Sequence, residues 1–449
     1  MPAFTSGLVV LAPNLARLRA AITAASCAGL AVTIGSATGH ADTGLVASTG
    51  SLAALYAADS TPRREAAHVA AAAAVLSVSL AAGALATGPW SAVVITTVWT
   101  ALVAYGCAAL ATRPPGAMMF ILMCTLGTVL PGSSLAAIVA TAATGIAAAA
   151  LSTARPRRSE QGFDPLLHMD TNHARFARAQ WSLNPKASPL VFMATRSACA
   201  VALAGSVAVA VDAERPYWAM AATAAVLGRG NQAATTILRA GQRLTGTLVG
   251  CLVAGLVLLA HPRGLVAALI LAALTFATEL FVTRNYALAM AFVTPMALLL
   301  TDAAGPALPL EPLLASRAGE TLLGCAAAVA ASQVVTRRWA VRHQRHALRA
   351  VERLTEWGYS GARNPRQIQE RAGSLAGAVH RLETVTTRTA AERRGIREST
   401  QDLRLLSDQA LIHARTLLND LGQQPGTASS LREGALSLPG EPSVEGRPT

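Results

Sequence analysis

The chain carries little charge and few aromatics for its length. Of 449 residues 14% are charged and 4% aromatic, where ordinary soluble domains carry roughly 25% charged residues. That deficit excludes an ordinary water-facing surface. Lysine is all but missing, with Lys186 alone among 37 basic residues, a bias we read as genome composition rather than chemistry. The six cysteines, Cys27, Cys107, Cys124, Cys199, Cys251 and Cys325, lie inside apolar runs without CxxC or Cys/His spacing. This argues against a metal site or disulfide frame and for small packing residues. The sequence holds no Walker loop, HExxH, GxSxG elbow or paired acidic cluster of metal-ligand spacing, so neither an enzyme nor a cofactor site is expected.

Apolar residues dominate instead, at 53% of the chain. The runs 66–86, 90–111, 135–151, 190–211, 244–260, 265–282 and 318–335 approach or reach the roughly 17 to 25 residues that cross a bilayer. The expected fold class is all-α, a polytopic membrane protein with the lipid bilayer as its first partner. No cleavable signal peptide is expected, because Arg17 and Arg19 precede the first long run and no Ala-x-Ala-like site follows. A net charge of +13 would suggest nucleic acid for a soluble protein. Here the arginines gather in short loops and after residue 336, where positive-inside bias explains them. Acidic residues are interspersed and no recognition motif is present, so no nucleic-acid partner is expected.

Spans near 18–37, 44–58, 66–86, 90–111, 116–131 and 135–153 put Arg17, Arg19, Arg63, Arg64, Arg113, Arg155, Arg157 and Arg158 on one side. The segments HADTG, ATGPW and PGSS on the other side carry no Lys or Arg. A second set near 190–211, 216–228, 240–260, 265–282, 286–301 and 315–335 repeats the pattern, with Arg263 and Arg317 as exceptions. The topology that follows has about twelve spans in the cell membrane with both termini cytoplasmic. GLVASTGSLAAL at 44 aligns with PYWAMAATAAVL at 216, and GAMMFILMCTLGTVLP at 116 with YALAMAFVTPMALLLT at 286. Nearly equal offsets predict two parallel six-helix repeats.

Spans 2, 5, 8 and 11 are short and occupy matching places in the two halves, which is the sequence pointer to a transport pathway. Pro216 can open span 8, Gly228 and Gly230 can end it, and its N-terminus would favour an anion. Glu279, Arg284, Arg239, Arg243, Arg317 and Glu320 border or interrupt apolar runs. Each would cost about 2.5 to 3.5 kcal/mol at a lipid-facing midplane, so each should face protein, water or headgroups. Arg317 and Glu320, three apart, can pair directly. Glu279, after fourteen uncharged residues, is expected in the interior beside the pathway, as a proton-coupling group or as the partner of an arginine on a neighbouring helix. For Arg239, Arg243 and Arg284, cytoplasmic anchoring and substrate contact both remain open.

ERPYWAMAATAAVL, ILRAGQRLTGTLVGCLVAG, ELFVTRNYALAMAFVTPMALLL and SRAGETLLGCAAAV together resemble the C-terminal membrane repeat of the fusaric-acid-resistance-type transporters. That family is related to bacterial aromatic acid exporters and, more distantly, to plant aluminium-activated malate transporters. The resemblance covers about 190–336, and 18–153 only through the repeat. It implies efflux of small, mainly anionic compounds, aromatic ones among them, with Tyr217, Trp218, Arg239, Arg243, Glu279, Arg284, Asn285, Tyr286, Thr294, Pro295, Arg317 and Glu320 as pathway candidates. It also implies that Pro295 breaks its helix. PPGAMMFILMCTLGTVLP lacks Glu, Asn and Tyr, so the polar machinery should concentrate in the second half. A passive anion channel, and a non-transporting scaffold acting through the cytoplasmic helices, are the alternatives.

The expected domains are a membrane repeat over 1–153, a cytoplasmic linker over 154–189, the family-like repeat over 190–336, a cytoplasmic helical domain over 337–423 and a disordered tail over 424–449. Within 337–423, Leu348, Val351 and Leu354, then Ile368, Leu375, Val379 and Leu382, then Leu403, Leu406, Ala410, Leu417 and Leu421 recur near helical spacing. They predict three helices, broken at GYSGARNP and near ERRG, that form a bundle or a homo-oligomer contact.

Overall fold

The computed structural model describes residues 17–57, 62–110, 112, 115–130, 135–153, 189–227, 233–282, 284–304, 309–359, 374–379, 382 and 399–422. All secondary structure among them is helical. Two compact units, Met1–Thr336 and Arg337–Thr449, make up the chain. The linker, the break near ERRG and the C-terminal tail lie outside the described residues, but for the first residue of α7 at the linker's end.

The first unit runs α1 (Leu18–Ala37), α2 (Ala41–Ser48) continued by a 3-10 helix (Thr49–Tyr56), α3 (Pro62–Ala84), α4 (Pro89–Ala109), α5 (Met118–Gly127) and α6 (Leu135–Thr153). It then repeats the order with α7 (Pro189–Ala210), α8 (Pro216–Leu227), α9 (Ala233–Leu259), α10 (Gly264–Phe281), α11 (Tyr286–Ala304) and α12 (Leu310–Ala331), which a π turn (Ser332–Thr336) closes. Eight of these, α1, α3, α4, α6, α7, α9, α10 and α12, are long and apolar enough to cross a membrane. Exposure sorts the rest. Large apolar side chains are exposed along the eight, as at Val98, Ile146, Leu252 and Leu269, whereas none of those on α2, α5, α8 or α11 is exposed among the described residues. Helices buried all round are apolar all round, and α8, PYWAMAATAAVL, is buried from Tyr217 to Leu227. The eight therefore present an apolar face outward, of a size that belongs against lipid, and the four short ones fill the interior.

Packing pairs obey an exchange rule. The contact of α1 with α10 has its counterpart in α7 with α4, α3 with α5 in α9 with α11, α3 with α6 in α9 with α12, and α2 with α11 in α8 with α5. Glycines make matching seams close. A methyl on Gly83 would overlap the Cys124 carbonyl of α5, and on Gly246 the Ala287 carbonyl of α11. Gly246 and Gly250, one turn apart, are the family-like QR-x-x-GT-x-x-G glycines, and they let α9 and α11 approach as small residues do between membrane helices.

Pro295 corrects one expectation. The α11 helix runs unbroken through it, from Tyr286 to Ala304. Proline leaves the Ala291 carbonyl without its helical donor, and Gly250 of α9 lies against that carbonyl. The neighbouring backbone thus packs closely where proline removes a helical hydrogen bond. The α9 helix also begins at Ala233, seven residues before the expected 240.

The second unit contains α13 (Arg337–Tyr359), helical residues 374–379 and α14 (Ser399–Gly422). Leu348, Val351, Leu375, Ala378, Val379, Leu382, Ala414 and Leu417 form its core, and Gln344 donates to Ser407 at 3.0 Å across it.

Candidate functional site

The four short elements converge on one cavity of about 70 Å³. The α2 segment gives Ser48, Thr49, Ser51 and Leu52 where its α helix turns into the 3-10 helix; α5 gives Met118, Met119, Leu122, Met123, Thr125 and Leu126. On the other side stand Tyr217, Trp218, Ala221 and Ala225 of α8 and Met290, Val293, Met296, Ala297 and Leu300 of α11. Longer helices add Arg243 from α9, Thr275 from α10 and Arg317 from α12. An eight-residue 3-10 stretch is long for that geometry, whose runs seldom exceed 3 to 4 residues.

The lining is unusual in two respects. Five of the chain's nine methionines are in it, and methionine, unbranched and polarizable, repacks around varied shapes. Among the described residues no acidic side chain lines it, yet two arginines do. Arg243 is 4% and Arg317 2% exposed, and they lie roughly 15 and 10 Å along their helices at 1.5 Å per residue. Neither has a carboxylate within 4.0 Å among the described residues, and the Nε of each is buried without a partner. Arg243 Nη1 turns to the Met290 sulfur. The Arg317 guanidinium sits 4.7 Å from the centre of the Trp218 ring, and Arg215 sits 5.3 Å from the same ring.

The expected pair of Arg317 and Glu320 does not form. Glu320 instead accepts the Arg215 backbone N–H at 2.8 Å, at the residue before Pro216. The N-terminus of α8, expected to favour a substrate anion, is thus held by the protein's own carboxylate, and Arg317 is left to Trp218.

Four of the expected pathway residues, Tyr217, Trp218, Arg243 and Arg317, line the cavity. The others do not. Glu279 is interior, 1% exposed, but its partner is Arg17 at 3.4 Å, one of the arginines assigned to orientation. Arg239 stacks over Tyr286 at 5.0 Å, and Arg284 is exposed at the turn between α10 and α11. Asn285 Oδ1 accepts the Leu288 N–H at 3.0 Å as a helix cap, and Thr294 donates back to Met290 at 2.8 Å. Sequence reasoning missed Arg215, which donates to the Tyr217 hydroxyl at 3.3 Å, and the methionines, whose concentration in α5 and α11 was the available signal.

Residues 199–331 match the family described as fusaric acid resistance protein-like. In this segment the chain is similar to that family. The match takes in Tyr217, Trp218, Arg243 and Arg317, the four expected residues that meet at the cavity. The chain is also 30% identical over 167 residues to the uncharacterized membrane protein YvaC of Bacillus subtilis (strain 168). That similarity covers 37% of this chain and 26% of the relative's length. No solved structure matches the chain. This is a multi-pass membrane protein, helical in all the secondary structure of its described residues, and its likeness to that family is consistent with transport.

Proposed function

We propose that the chain is an efflux carrier of the inner membrane that moves small, mainly anionic compounds, aromatic ones among them, through the cavity between α2, α5, α8 and α11. One observation carries the reading: among the described residues, two buried arginines without carboxylate partners meet at a cavity without acidic lining. Buried charge is tolerated where it is paired or serves a ligand, and an anion supplies what the lining lacks. In this reading α1–α6 and α7–α12 are two parallel six-span repeats, supported by the exchange of packing pairs. Residues 154–189 and the second unit are cytoplasmic, supported by the arginine distribution.

Cavity size favours a carrier over a channel. A cavity of about 150 Å³ takes up benzene, so about 70 Å³ must widen before an aromatic anion fits. An alternately opened cavity does this; a standing pore need not.

Flux of labelled benzoate from proteoliposomes, with and without a proton gradient, tests the function. Transport that is saturable and lost in an Arg243→Met, Arg317→Met double variant is expected. Unsaturable chloride conductance would assign a channel, and absence of flux for a panel of carboxylates would leave the scaffold reading. Cysteines at Ser159 and at Gln409, exposed on α14, should be labelled only from the cytoplasmic face; external labelling in intact cells would overturn the orientation.

A further inference from the structure

We propose that Arg17 is a latch that holds one end of the cavity shut by tying α10 to the 3-10 continuation of α2. Arg17 Nη2 donates to the Leu55 carbonyl at 2.9 Å and reaches Glu279 Oε2 at 3.4 Å. Both acceptors stand one turn beyond a cavity-lining residue. Leu52 lines the cavity and Leu55 follows by one 3-10 turn of three residues; Thr275 lines it and Glu279 follows by about one α turn. The two strands of the lining are therefore pinned together immediately past the cavity, by a side chain from a third element that precedes α1.

Three further features fit a closure rather than a permanent brace. Tyr56, next to Leu55, donates to the Gly116 carbonyl and stacks on Phe120 at 4.9 Å, so α5 is drawn to the same end. Arg17 Nε and Glu279 Oε1 are buried without partners, an incomplete pairing that stabilises less than a bidentate one. The latch also joins the two halves, Arg17 and Leu55 from the first and Glu279 from the second, along the α1 and α10 seam, where movement of one half against the other would be felt. The proposal rests on the cavity being a transport pathway, and under the proposed orientation the latched end faces the cytoplasm.

The test is access to Ser51, a cavity-lining hydroxyl 1% exposed. In a background with the six native cysteines replaced, Ser51→Cys is treated with an anionic, membrane-impermeant methanethiosulfonate from each face of sealed vesicles. With Arg17 and Glu279 intact, modification is slow. With Arg17→Gln or Glu279→Gln it should quicken at least about tenfold, the factor that about 1.4 kcal/mol of lost closure gives, and only from the face where Arg17 lies. An unchanged rate in variants that accumulate as folded protein overturns the latch, as does equal quickening from both faces. If neither glutamine variant accumulates, Glu279→Asp, which keeps the charge but withdraws the oxygens by one methylene, is labelled under the same criteria. Labelling needs no substrate, so it stands or falls apart from the flux assay.

Discussion

Replacing Arg317 by methionine separates binding from stability. About a third of the way along α12, a guanidinium costs at most the roughly 2.5 to 3.5 kcal/mol of a helix centre on insertion scales, and its place over Trp218 returns up to about 2 kcal/mol when desolvated. Methionine has similar length and no charge, so the empty protein should be unchanged or about 1 kcal/mol more stable. Anion binding should move the other way. A hydrogen bond to a charged group contributes about 1.5 to 3 kcal/mol, and the dissociation constant for benzoate should rise about 10- to 150-fold. Thermal unfolding in detergent, with and without benzoate, reads both effects. Saturating ligand stabilises by about 2.7 kcal/mol at a hundredfold excess over Kd, and the same concentration stabilises the weaker-binding methionine variant by only about 0.3 to 1.4 kcal/mol, so the benzoate-dependent rise in Tm should shrink at least about twofold. A variant that unfolds earlier and keeps its benzoate response would refute the reasoning, because Arg317 would then serve only as a brace for Trp218.

Two substitutions probe the supporting structure. A side chain at Gly250 would place its Cβ 2.6 Å from Thr294 Cβ and 2.9 Å from the Ala291 carbonyl, so Gly250→Leu should separate α9 from α11 and cost at least about 1 to 3 kcal/mol, read as lost folded yield and a lower Tm. Asn285→Ala removes the 3.0 Å cap of α11 and should cost about 0.5 to 2 kcal/mol while leaving the KM for benzoate unchanged; a large rise in KM would return Asn285 to the pathway.

The four interior segments were legible in the sequence because a span too short for a bilayer is a local property, visible in PYWAMAATAAVL or MMFILMCTLG without knowledge of neighbours. Tyr217 and Trp218 came with the family resemblance, and Arg243 and Arg317 from charges that border apolar runs. What escaped depends on partners remote in the chain. Arg17 reads as an orienting charge until Glu279, 262 residues away, is beside it. Glu320 looks like the natural partner of Arg317 one turn earlier, but the backbone N–H before Pro216 competes for it and wins, since a fixed donor needs no side-chain ordering. Pro295 promises a break, yet α11 continues through it with α9 packed against the freed carbonyl. In each case local spacing named the right residues and tertiary contact chose their partners.

The two halves share a packing plan but not a chemistry. The seam of α3 with α6 corresponds to that of α9 with α12, yet α6 carries no charge and α3 none after Glu65, whereas α9 and α12 place Arg243 and Arg317 at the cavity. The first half contributes the hydroxyls of Ser48, Thr49, Ser51 and Thr125 and the thioethers of α5 instead. Under the proposed carrier function, a ligand between them would meet positive charge on one wall and the α5 thioethers on the other, so an anion with an apolar body would have one favoured orientation despite the near symmetry of the bundle. On that proposal, Arg243 and Arg317 would fix where the anionic end lies, and Met118, Met119 and Met123 would leave the size of the body open.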